Sequence, residues 1–152
     1  MPAKVGYVKK SDAFFDEVKA RFPKADFFVS QRHDACVALR LEEGHCYLIY
    51  KGEATPDQIG IVFAQAKKAG HTSIGDGLLI DFTQFTGTVD WDFAKSETPP
   101  APGMDAQPKM IAFVALGDQV MIIKALMVWL SKNYDCNIFR RRTEAESWLG
   151  WK

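Results

Sequence analysis

No charge of either sign prevails in this 152-residue chain, where 19 lysines and arginines stand against 19 aspartates and glutamates. A balanced surface generates no field that would draw the protein onto a phosphate backbone or an anionic bilayer, so nucleic acid is not an expected partner. Cysteine is scarce, with three residues at 36, 46 and 136 and no CxxC spacing. That pattern suits reduced thiols in the cytoplasm better than a disulfide framework. MPAKVGYVKK at the start carries no apolar stretch of the secretory kind. The longest apolar run, Val120–Leu130, has ten apolar residues in eleven, well short of the roughly 20 that a membrane-spanning helix requires. Neither a P-loop, a GxGxxG nor a nucleophile elbow occurs, so no phosphate-cradling or acyl-transfer motif directs the reading toward an enzyme.

The residues that are present spell one α/β domain. Ser11 followed by DAFFDEVKARF reads as a capped amphipathic helix from about Asp12 to Phe22, closed by Pro23. FFVSQ, ACVALRL and CYLIYKG are rich in β-branched and aromatic residues, and Glu42-Glu43-Gly44 joins the latter two as an antiparallel meander. Thr55-Pro56 opens a helix that Gly70 stops. GLLIDFT is apolar without alternation and is expected as a central strand covered on both sides. Thr88 or Asp90 is placed to cap a short helix near Trp91, and TPPAPGMDAQP, with four prolines in eleven residues, is expected as a mobile loop. KMIAFVAL, the apolar helix after Gly117-Asp118, CNIFR and a helix capped by Thr143 complete an alternating strand and helix order, which indicates parallel pairs.

Two constellations invite a chemical reading. His33, Cys36, His45 and Cys46 have the residue types of a metal site. With the turn at 42–44, however, Cys46 lies opposite about Arg40, roughly 13 Å along the strand from Cys36 at about 3.3 Å per residue. Zinc ligands must converge within about 2.3 Å of one ion, so no metal is expected. Asp81, Asp90 and Asp92 are the densest carboxylates, at the carboxyl end of a central strand where open α/β sheets bind ligands. Their expected work is local, with Asp90 capping and Asp81 bonding nearby amides. Arg140-Arg141-Arg142 reads as solvated surface with pairing to Glu144 or Glu146.

The order of segments carries a resemblance. LLIDFTQFTGTVDWD, MIAFVALGD before a helix, and IFRRRTEAESWLG resemble the SpoIIAA-like branch of the STAS/Sec14-like proteins, over residues 27 to 150. The resemblance implies a single mixed sheet of five to six strands flanked by helices over residues 27–152, with residues 1–26 as an added N-terminal helix. It further implies no catalytic machinery, no cofactor, and work done by binding a regulatory protein or, as Sec14-like relatives do, a lipid-like apolar ligand. In partner-switching members a serine in a DSSG-like sequence is phosphorylated. Here the matching stretch is Thr86-Gly87-Thr88-Val89-Asp90-Trp91, without DSSG, so Thr86 and Thr88 are the hydroxyls that would take a phosphate near a helix start.

The apolar helix poses a separate question. On a wheel at 100° per residue, Ile122, Ile123, Leu126, Trp129 and Leu130 form one face that a sheet would bury. Val120, Met121 and Val128 fall between polar residues, with Met127 at the margin, so apolar surface exceeds what one sheet contact needs. A second subunit, the N-terminal helix with Phe14, Phe15 and Phe22, or an apolar ligand would cover it. The sequence thus describes a cytoplasmic, non-enzymatic interaction module that self-associates as a homodimer, with Asp81, Thr86, Thr88, Asp90 and Trp91 at its contact loop. The alternative is a carrier or sensor of a small apolar ligand.

Overall fold

The computed structural model describes residues 26–42, 44–96 and 99–151. The N-terminal helix expected over Asp12–Phe22 lies outside them. Six strands form one sheet in the order β1 to β6: β1 Asp26–Arg32, β2 Ala35–Glu42, β3 His45–Gly52, β4 Gly77–Phe85, β5 Met110–Val114 and β6 Asp135–Phe139. The first three pair antiparallel and the last three add in parallel. The helices are α1 Pro56–Lys68, α2 Trp91–Lys95, α3 Gln119–Leu130 and α4 Arg142–Trp148.

Tight turns set the antiparallel half. Strands β2 and β3 pair as far as Glu42↔His45, which places Cys46 opposite Leu41 and shifts the sequence-based register by one residue. The connection is shorter than the three-residue turn expected, because Glu42 itself joins the ladder. At the other end of β3, Gly52 has φ of +65°, and a Cβ there would stand 2.1 Å from the Asp34 carbonyl oxygen. Only glycine fits this close approach.

Alternation of side chains sorts the sheet into two faces. Leu39, Leu48, Leu78, Ile80, Ile111 and Phe113 share one face with Val62 and Phe63 of α1 and Ile123 of α3. Tyr47, Leu79, Ala112 and Val114 share the other with Ala145, Trp148 and Leu149 at α4. Each large side chain buried here contributes roughly 1.5–3 kcal/mol. Gln58 of α1 is fully buried, and its amide nitrogen donates to the carbonyls of Ser30 and Ala35 at 3.1 Å each. Its oxygen accepts from the Thr55 N–H at 3.0 Å, so one side chain ties the helix start to the first hairpin.

Several details depart from the sequence expectations. The proline-rich loop is packed in its described part: Ala101 and Met104 are buried, and the Gln107 amide accepts from Ala101 N–H at 2.9 Å and donates to its carbonyl at 2.7 Å. A side chain that satisfies the loop's own backbone groups replaces regular structure there. Thr143 is not the cap of α4, which starts after Arg141. In α3 the buried stripe centres on Ile123, with Val120, Leu126, Met127 and Leu130 partly buried against the core. Ile122 and Trp129, expected inside, are 38% and 36% exposed. The helix lies over the edge strand β6, and the stripe it buries there is rotated toward Val120 and Met127. Among the described residues no helix is long and apolar enough to cross a membrane.

Candidate functional site

Helix α1 packs over β1 and β2 while α3 packs over β6. An α-helix with its side chains is about 10 Å wide and strands lie about 4.8 Å apart, so the face of β3, β4 and β5 between them is left for other segments to cover. The stretch Thr88–Asp90, α2 and Pro99-Pro100 roof that gap, leaving an apolar cavity of about 120 Å³. Leu126 and Leu130 of α3 wall one side and Ile59 of α1 the other.

Aromatic rings dominate the sheet side. Tyr50 meets Phe82 edge to face with centroids 4.6 Å apart, Phe85 lies 5.2 Å from Phe82, and Phe113 stacks parallel to Phe82 at 6.0 Å. Strict alternation would send Phe82 and Phe85 to opposite faces. The pairing of β3 with β4 slips between Ile49 and Lys51, where Asp81 and Gln84 are the partners. This irregularity adds one residue to β4 and returns Phe85 to the cavity side, as β-bulges do. The Gln119 amide secures the bent end, donating to the Phe82 carbonyl at 2.6 Å and the Phe85 carbonyl at 3.0 Å. Burial pushes the Tyr50 phenol well above its usual range, which keeps it neutral. Phe93 of α2 completes the ring lining.

Sequence-derived site residues distribute unevenly around this cavity. Thr88 and Asp90 line it and are exposed at its rim. The Asp90 carboxylate caps α2, accepting from the Phe93 N–H at 3.0 Å. Asp81 alternates with Ile80 and Phe82 and so belongs to the opposite face; its Oδ1 accepts from the N–H of Thr83 at 2.8 Å and from its hydroxyl at 2.6 Å. The aspartates are therefore separated by the sheet rather than gathered. Thr86 is exposed and its N–H donates to the Gly52 carbonyl at 2.8 Å. Trp91 is exposed at the start of α2.

The four metal-type residues also separate. Cys36 and Cys46 pack in clusters on opposite faces of the sheet, His33 sits at the far turn with φ of +53°, and His45 stacks on Trp151 at 4.4 Å. Among the described residues no group of three metal-ligating side chains forms. Of the arginines, Arg142 pairs with Glu146 at 3.6 Å, while Arg140 and Arg141 are exposed.

On α3, Met121 and Val128 are the most exposed apolar residues, at 75% and 61%. Val120 and Met127, grouped with them by sequence, pack partly against the core instead. Trp129 lies under two cations, with Lys132 Nζ 4.8 Å and Lys95 Nζ 5.2 Å from its ring centroid. Lys95 belongs to α2, so this contact joins the cavity roof to the outer side of α3.

No family model matches the chain, and no curated protein matches it. A solved structure does: an uncharacterized protein from the DUF3478 family with a SpoIIAA-like fold, from Shewanella loihica PV-4. It is 15% identical, with a TM-score of 0.50 over 79% of this chain and 97% of that one. The fold is SpoIIAA-like. Within that SpoIIAA-like fold the pocket aromatics went unrecognised in the sequence, because each reads equally well as ordinary core. The break of alternation in FTQF was the one local signal of the bend that assembles them.

Proposed function

We propose that this protein is a non-enzymatic binding module, that its working site is the apolar cavity beneath α2, and that it holds a small apolar molecule there. The observation that carries this reading is the lining: aromatic and aliphatic side chains from the middle of β3, β4 and β5 through to the carboxyl ends of β3 and β4, the end of a parallel sheet at which ligands are commonly received. General acid–base chemistry calls for a titratable group beside a second organised one. Asp90, the one charged side chain in the lining among the described residues, has its carboxylate committed to the α2 cap. A cytoplasmic setting, suggested by the reduced thiols, belongs to the same reading.

The test is ligand-linked stability. A molecule that binds only the folded state raises the unfolding temperature by mass action. Saturating toluene should raise the Tm by several degrees, and Leu130→Trp, which fills the cavity, should lose that rise. An unchanged Tm in the wild type would count against the proposal.

A second reading rests on a separate observation, the exposure of Met121 and Val128 on the outer side of α3. On this reading two copies associate through that surface as a homodimer, or a regulatory protein occupies it. Thr88 offers the regulatory link, since a phosphate on its exposed hydroxyl would place charge at the rim of an apolar cavity.

A further inference from the structure

Resting on the ligand-pocket reading, we infer that the molecule held in the cavity is neutral, about the size of one six-membered ring, and carries a hydroxyl or carbonyl oxygen that pairs with the Tyr50 hydroxyl. Size comes first. The space of about 120 Å³ is close to the roughly 150 Å³ that accommodates benzene in a dry engineered cavity, and well below the ~300–1,000 Å³ of sites that take drug-sized ligands. An extended acyl chain would reach out of it.

Charge comes second. Among the described residues no lysine or arginine lines the cavity, and Asp90 stands on its rim. A carboxylate entering there would lose water, find no cation and meet a like charge. A neutral molecule meets none of these costs.

Tyr50 supplies the remaining feature. Of the polar side chains in the lining, Thr88 and Asp90 are exposed, whereas Tyr50 is 9% exposed. It makes no hydrogen bond to another described residue. The hydroxyl is not sealed in the core and Tyr50 lines the cavity; a phenol both donates and accepts, so a ligand oxygen of either kind pairs with it in place of water. The rings of Phe82 and Phe85 at 4.6 and 5.9 Å hold Tyr50 in place, so the hydroxyl is fixed before the ligand arrives.

Isothermal titration of the full chain with p-cresol, toluene and p-toluate separates these claims, using Tyr50→Phe as the variant because it keeps the ring packing. Expected results are that Tyr50→Phe weakens p-cresol about tenfold, a typical cost of one unpaired hydroxyl, while toluene changes by less than about twofold. The anion p-toluate should bind more weakly than toluene to both proteins. Equal p-cresol affinity in wild type and Tyr50→Phe, or p-toluate binding tighter than toluene, would overturn the inference and leave the pocket reading standing. Failure of both toluene and p-cresol to bind would remove the pocket reading and this inference with it.

Discussion

Tyr50 and Phe82 meet edge to face on the side of the sheet that α1 and α3 cover, 4.6 Å between centroids, one from β3 and the other from the strand beside it. Their contact forms the floor of the cavity. Offset and edge-on aromatic pairs contribute about 0.5–1.5 kcal/mol beyond the area they bury, and the irregularity in β4 extends this pair to Phe85. The same bend that interrupts regular pairing therefore builds the site.

Gln58 ties the start of α1 to the first hairpin. Truncating it to alanine leaves the Ser30 and Ala35 carbonyls and the Thr55 N–H without the partners they now have. Each buried group left unsatisfied costs about 1–3 kcal/mol, so Gln58→Ala should lower the unfolding free energy by at least about 2 kcal/mol in urea titrations. A loss under about 0.5 kcal/mol would show that water replaces the amide.

Alkaline pH should weaken the fold. Burial, reinforced by the neighbouring Asp135 charge, pushes the Cys136 thiol up to about 11, and burial raises Cys46 further still. Because the folded state holds these protons more tightly than the unfolded chain, their contribution is complete below the usual thiol range near pH 8.5 to 9 and fades as pH rises above it. The urea midpoint should fall between pH 9 and 11, and fall less steeply in Cys136→Ala. A midpoint that stays level over that interval would contradict the assignment.

Much of this architecture was legible beforehand, for identifiable reasons. The unalternated GLLIDFT and KMIAFVAL mark strands covered on both faces, and both are central. Asp90 is the cap its spacing to the helix suggested. The apolar helix misled in detail: a wheel reports which residues share a face but not how far the sheet extends beneath it, and at the edge strand β6 the buried stripe turns toward Val120 and Met127. Nor does periodicity show the cavity, which arises from the distance between α1 and α3, a property of the assembled sheet.

The exposed face of α3 yields its own expectation. Met121 and Val128 make little contact with their own domain, so Met121→Glu with Val128→Glu should change stability by no more than about 0.5 kcal/mol each. If copies associate through this surface, sedimentation should show the wild type as a dimer and the double variant as a monomer. Identical sedimentation of the two would dismiss self-association through α3.

The pocket is tested most directly by methyl NMR during a toluene titration. Saturable shifts confined to Ile80, Ile111, Leu126 and Leu130, which line the cavity, with the exposed methyls of Met121 and Val128 unmoved, are the expected outcome. Unmoved cavity methyls, or shifts concentrated on the outside of α3, would contradict a working site beneath α2.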